Sequence, residues 1–136
     1  MLLSASHCLL FVLAASAVAS VGSAAARPKR LDGRFIGAAK LAGERKRVEL
    51  ELVRTDFGLY RGGCIFKVSL DDPGVSCSAE ARDLGRNRVQ ILLECEDGSR
   101  QEWRGTLTKG GKKLSGKIEG IEPVLSGTFS LHRSSR

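Results

Sequence analysis

Beyond residue 26 the chain holds three cysteines, Cys64, Cys77 and Cys95, and one histidine, His132, the side chains best suited to covalent or metal chemistry. A Cys–His dyad needs thiol and imidazole within hydrogen-bond reach. The alternation of neighbouring residues puts Cys64 on the inward set of its segment and His132 on the outward set of another, so no dyad is expected. Zinc is poorly served, because cysteines separated by 13 and 18 residues beside a single histidine do not match zinc-site spacing. Glu49, Glu51, Glu94, Glu96 and Asp97 interleave with basic residues as exposed cross-strand ion pairs do, rather than converging as catalytic carboxylates. Asp71 and Asp72 lack the further ligand of a calcium loop. With no catalytic or cofactor motif, the expectation is a non-enzymatic protein with no cofactor and no metal.

The cysteines point instead to a disulfide. Three in an oxidising compartment leave one pair and one remainder. A hairpin centred at Arg86 sets Cys77 opposite Cys95, within disulfide reach. A turn centred between Asp72 and Pro73 sets Cys77 opposite Val68 and leaves Cys64 four rows away, on the order of 13 Å at the usual strand rise. Cys77–Cys95 is therefore the expected bond, closing a loop that adds about 3 kcal/mol on the chain-entropy estimate. Cys64 becomes a buried free thiol, ordinarily an inert small hydrophobe, with an intermolecular disulfide as the alternative.

Charge supplies the other functional signal. The net charge is +7, from 22 Lys and Arg against 15 Asp and Glu, all beyond residue 26. Such a balance favours an acidic partner: an anionic glycan, an anionic lipid or an acidic protein. Nucleic acid is disfavoured by the few aromatics available for base stacking. The candidate anion-binding residues are Arg45, Lys46 and Arg47 at one hairpin and Lys109, Lys112 and Lys113 at another. Strand parity places these clusters at opposite rims of a meander.

The elements that must position these residues read as short alternating strands. Met1 to Ala26 has no charged residue, an apolar run from Cys8 to Ala15 and a tail of Ala, Ser, Val and Gly, as in a secretory signal cleaved after Ala26. A retained anchor is the alternative. Arg27 to Arg30 form a basic arm. From Leu31 onward, turn residues recur every 8 to 14 positions or so, the mark of an all-β barrel or sandwich. Strands are expected at Leu31–Leu41, Arg45–Thr55, Leu59–Leu70, Val75–Arg82, Arg88–Glu96, Arg100–Lys109, Lys112–Ile121 and Val124–Arg133, leaving residues 134–136 as a tail. The clearest hairpin folds about Gly110-Gly111, read as a two-residue type I′ turn, and pairs Trp103 with Ile118, Gly105 with Gly116 and Leu107 with Leu114. Inward sets include Cys64, Phe66, Val68 and Leu70 on the third strand. Phe35, Phe66, Trp103 and Phe129 are assigned to the interior. An up-and-down barrel of eight strands is the expected fold, with a two-sheet sandwich as runner-up.

Four segments share the order bulky, polar, Gly, polar, bulky: residues 31–35, 103–107, 114–118 and 125–129. In a strand, each leaves a gap at its glycine that can admit a neighbouring large ring. This pattern, with glycine-bracketed first and last strands, resembles calycin-like barrels such as lipocalins and avidins. Gly33-Arg34-Phe35 stands where that group has its G-x-W element, with Phe in place of Trp. The resemblance implies that Arg133 packs across this ring from the closing strand. The small secreted protease-inhibitor barrels of bacteria are similar in outline. Fold likeness does not carry function. The leading functional expectation is a secreted or periplasmic binding domain for an acidic partner. A carrier of a small apolar ligand in the barrel mouth, or an inhibitor-like barrel, is the alternative.

Overall fold

Segments with large apolar residues at every second position bury one face only by joining others of the same kind, and a ribbon of them keeps two raw edges unless it closes. The computed structural model, which describes residues 31–69 and 71–134, shows a closed barrel. Its strands are β1 (Gly33–Leu41), β2 (Glu44–Asp56), β3 (Leu59–Lys67), β4 (Val75–Gly85), β5 (Arg88–Cys95), β6 (Arg100–Thr108), β7 (Lys113–Glu122) and β8 (Val124–Arg133). Each pairs antiparallel with the next, and β8 pairs back with β1, so a two-sheet sandwich is ruled out. The expected leader at residues 1–26, the basic arm at 27–30 and the end of the C-terminal tail lie outside the described residues.

The interior is organised around Trp103, which is fully buried. Phe129 lies against its face at 4.5 Å between ring centroids, and Phe66 meets it edge-on at 5.8 Å. Room for Phe129 comes from two glycines. Gly105 pairs with Gly116 and Gly116 with Phe129, and a Cβ on Gly105 would come within 2.7 Å of the Phe129 ring. The expected gap therefore exists and holds a ring. Burial would strand the indole N–H, which instead donates to Gln101 Oε1 at 2.9 Å. Gln101 is the sole buried polar side chain among the described residues.

Closure is fastened at the β1–β8 seam. The Arg133 guanidinium lies 4.6 Å from the centroid of the buried Phe35 ring, as the calycin resemblance implies. Arg133 donates from Nε to the Gly111 carbonyl at 3.0 Å and from Nη1 to the Asp32 carbonyl. Gly33 makes space for it, since a Cβ there would stand 2.6 Å from Arg133 Nη1.

Two expectations about turns are corrected. The β6–β7 pairs form as expected, but the connection is four residues, Lys109 to Lys112, rather than a two-residue type I′ turn. Lys109, Gly110 and Gly111 all take positive φ, which turns the Gly111 carbonyl toward Arg133. The β3–β4 connection is also longer than expected. Strand β3 stops at Lys67 because Asp72 pins the following loop, accepting from Val68 N at 3.0 Å and Gly74 N at 2.9 Å. Val68 is consequently 64% exposed rather than inward, and Leu70 lies outside the described residues. The same loop moves the register, so that Cys64 stands directly opposite Cys77 rather than four rows away. Cys77 and Cys95 are opposite one another across β4–β5 and form the expected disulfide, leaving Cys64 a buried free thiol.

Gly116→Ala is expected to lower stability by about 2 kcal/mol or more, because its Cβ would sit 2.0 Å from the Arg104 carbonyl oxygen, a backbone atom that cannot swing aside. A fall in the urea midpoint at unchanged m-value is the readout, and an unchanged midpoint counts against this packing.

Burial pushes the Cys64 thiol up from 9.0 to about 12. Between those values the folded chain keeps a proton that the unfolded chain has released. The folded state then binds more protons, and stability falls as pH rises through this window, by roughly 1 kcal/mol per pH unit from this group. Chemical unfolding of wild type and Cys64→Ala across pH 8 to about 12 should show the shallower decline in the variant; parallel curves would refute the assignment.

Candidate functional site

Antiparallel succession sorts the turns between two ends. The β1–β2, β3–β4, β5–β6 and β7–β8 turns share one rim, and the β2–β3, β4–β5 and β6–β7 turns share the other with the start of β1 and the end of β8. Arg45, Lys46 and Arg47 follow the first turn, whereas Lys109, Lys112 and Lys113 surround the sixth. They therefore lie at opposite ends, as strand parity requires.

The two basic groups differ in company. The end carrying Arg45, Lys46 and Arg47 also carries Glu44, Asp71, Asp72, Glu96, Asp97 and Glu122. Arg47 reaches Glu49 at 3.7 Å, and Lys46 contributes to holding the Asp72 and Asp97 carboxyls below their usual range. The larger causes there are local hydrogen bonds, from Val68 N–H and then Gly74 N–H to Asp72, and from the Ser99 side chain and then its N–H to Asp97. Glu49 is lowered chiefly by its 2.6 Å contact with Arg34. With Lys40, Lys67 and Arg100 also at this end, six basic residues face six acidic ones, so its charges balance.

At the other end, Lys109, Lys112 and Lys113 are joined by Arg54 beside the β2–β3 turn and by Arg86 and Arg88 at the β4–β5 turn. Five of these six are exposed and Lys113 is half-buried. Among the described residues none of the six lies within 4.0 Å of a carboxylate. Three acids share this end with the six: Asp32 just before β1, Asp56, which accepts from Phe57 N at 2.7 Å, and Asp83, which accepts from Gly85 N at 2.8 Å, so the basic residues outnumber them. Arg86 and Lys109 occupy left-handed backbone, with φ of 54° and 53°, where glycine or asparagine would sit more easily. Sequence reading found only the lysine cluster here. The arginines are isolated on separate turns, and only closure of the sheet gathers them.

The mouth behind this rim is shallow. A depression of about 160 Å³ is lined by Leu31, Asp83, Gly85, Arg86, Asn87, Val89 and Leu107, below the few hundred Å³ of ordinary small-molecule sites. Leu31 is buried and closes its floor, while the predicted interior residues Phe35, Phe66, Trp103 and Phe129 fill the space beyond. Depressions of about 460, 680 and 730 Å³ lie on the outer wall. His132 is exposed on the outer face of β8 and Cys64 is inside, so the two form no dyad. No cluster of three or more potential metal ligands occurs among the described residues.

No family model matches the sequence, and the search of curated proteins found no match. Solved structures do match in shape. A de novo designed fluorescence-activating β-barrel superposes with a TM-score of 0.64 at 11% identity, covering 76% of this chain and 94% of its own. A redesigned β-barrel gives 0.69 at 10% identity, covering 77% and 92% respectively. Likeness at such low identity concerns the fold alone, and it agrees with the closed eight-stranded antiparallel architecture.

Proposed function

We propose that this is a non-enzymatic binding domain that engages an acidic partner through the rim formed by Arg54, Arg86, Arg88, Lys109, Lys112 and Lys113. The observation that carries the reading is the gathering of these six side chains, without carboxylate partners among the described residues, around one end of a filled barrel. Unpaired positive charge on one rim sums into a field that attracts anions and steers their approach. The Arg45–Arg47 group is the weaker candidate because acidic side chains surround it.

The wider setting follows the same reading. The Cys77–Cys95 disulfide suits a secreted or periplasmic protein, because such bonds persist in oxidising compartments. Among the described residues no helix is long and apolar enough to cross a membrane. Arg133 over Phe35 supports placing the chain with calycin-like barrels. A carrier role is less well supported, because Trp103, Phe66 and Phe129 occupy the interior that a ligand would need. The fluorescence activation named for the designed barrel is therefore not carried over to this chain.

Replacing Arg86 and Lys109 together by glycine separates binding from stability. Both positions have positive φ, so the double variant is expected to unfold at or above the wild-type midpoint. Its salt concentration for elution from immobilised heparin should nevertheless fall clearly. Arg45→Ser with Arg47→Ser should elute close to wild type. Equal losses from both pairs would indicate diffuse charge rather than a rim, and no retention of wild type would defeat the proposal.

A further inference from the structure

The basic rim also exposes apolar side chains that the fold has no evident use for. Phe57 stands at the tip of the β2–β3 turn and is 87% exposed. It is held there by a built turn: its own N–H is bound by Asp56 Oδ1, Gly58 has φ +70°, and the Gly58 carbonyl accepts Asp83 N at 2.9 Å from the neighbouring turn. That last bond ties the β2–β3 turn to the strand that leads into the β4–β5 turn, where Leu84 is 48% exposed beside Arg86 and Arg88. Val53, on the outer face of β2 leading into the rim, is exposed as well. The Arg54 guanidinium lies 5.8 Å from the Phe57 ring centroid, placing a cation beside the aromatic tip.

Resting on the basic-rim reading, we infer that this end of the barrel docks on an anionic bilayer surface, with Phe57 and Leu84 entering the headgroup–acyl boundary and the surrounding arginines and lysines meeting lipid phosphates. An aromatic tip beside Arg54, on an end that carries five more basic side chains, is the pattern of interfacial binding, in which apolar burial and attraction to acidic headgroups add. A soluble sulfated glycan would satisfy the charges and leave Phe57 and Leu84 in water. The opposite end also exposes Val68, Ile121 and Val124. There Arg45, Lys46 and Arg47 share the end with Glu44, Asp71, Asp72, Glu96, Asp97 and Glu122, whereas the basic rim carries only Asp32, Asp56 and Asp83 against its six basic residues. Charge complementarity thus selects one end of the molecule over the other.

Each basic residue near such a surface contributes roughly five-fold to partitioning, and loss of one inserted aromatic costs on the order of ten-fold. The test compares wild type, Phe57→Ser with Leu84→Ser, and Arg86→Gly with Lys109→Gly, all carrying the same N-terminus. Binding is measured by sedimentation with phosphatidylcholine vesicles, with and without one quarter phosphatidylglycerol, and each protein is also eluted from heparin. Wild type should bind only the anionic vesicles. The apolar double variant should lose about ten-fold or more on vesicles yet elute from heparin as wild type does. The glycine double variant should weaken on both. Phe57→Trp should show a blue-shifted emission increment on anionic vesicles. Wild-type vesicle binding that is unchanged in the apolar variant overturns the docking inference. Retention on heparin without vesicle binding overturns it too and leaves the basic-rim reading standing. Absence of both sinks both.

Discussion

Much of this molecule depends on a single packing constraint: Phe129 must pack against Trp103, and the room for it is where Gly105 and Gly116 face each other across β6–β7. A barrel of eight strands encloses a volume that side chains can just fill. Two rings in tilted contact over a glycine pair fill the middle of it, with Phe66 at the edge and Gln101 satisfying the indole N–H. The bare backbone beneath Phe129 brings β6 and β7 into close approach, where a methyl on Gly116 would meet the Arg104 carbonyl. Curvature and core filling are therefore the same feature seen from two sides of the sheet. At the seam, Arg133 repeats the device by lying over Gly33 and Phe35 while bonding the Gly111 and Asp32 carbonyls.

What could be read in the sequence was whatever period-two alternation controls. Trp103, Ile118, Leu107 and Leu114 share the inward face as their spacing requires, and Cys77 meets Cys95 because a short turn at Arg86-Asn87 is followed by a one-residue register shift between Asp83 and Gly85. Illegibility began where a side chain, not the backbone pattern, set the length of a connection. Asp72 binds two backbone N–H groups of its own loop, ends β3 early and shifts the register. That shift brought Cys64 opposite Cys77 and carried Val68 into solvent. Glycines at 110 and 111 signalled a hairpin correctly, but Lys109 joined them in left-handed backbone and lengthened the turn. Gln101 carried a readable signal that was missed: a buried Trp needs an acceptor, and Gln101 is in phase with it two residues earlier.

The candidate rim was half legible for a related reason. Lys109, Lys112 and Lys113 stand out because they are close in sequence, and so do Arg45, Lys46 and Arg47. Arg54, Arg86, Arg88 and Phe57 do not, because each is a single residue on its own turn. Contiguity in sequence overstates the first-turn cluster, which shares its end with Glu44, Asp71, Asp72, Glu96, Asp97 and Glu122, and understates the opposite rim, whose members meet only through strand parity.

A filled interior also constrains where this fold can interact with anything. With Leu31 closing the mouth behind the basic rim and aromatic rings occupying the centre, the barrel offers partners its ends and outer wall rather than its lumen. The ends are formed by turns, which tolerate substitution so long as backbone geometry is met. Arg86 and Lys109 hold positions where geometry alone favours glycine, and Phe57 projects into solvent from a turn hydrogen-bonded by the Asp56 carboxylate and the Asp83 N–H. Local backbone geometry requires neither the charge at the first two nor the ring at the third. Their presence together at one end is what the proposed docking rests on, because the chemistry they share is attraction to an anionic surface with an apolar layer beneath it.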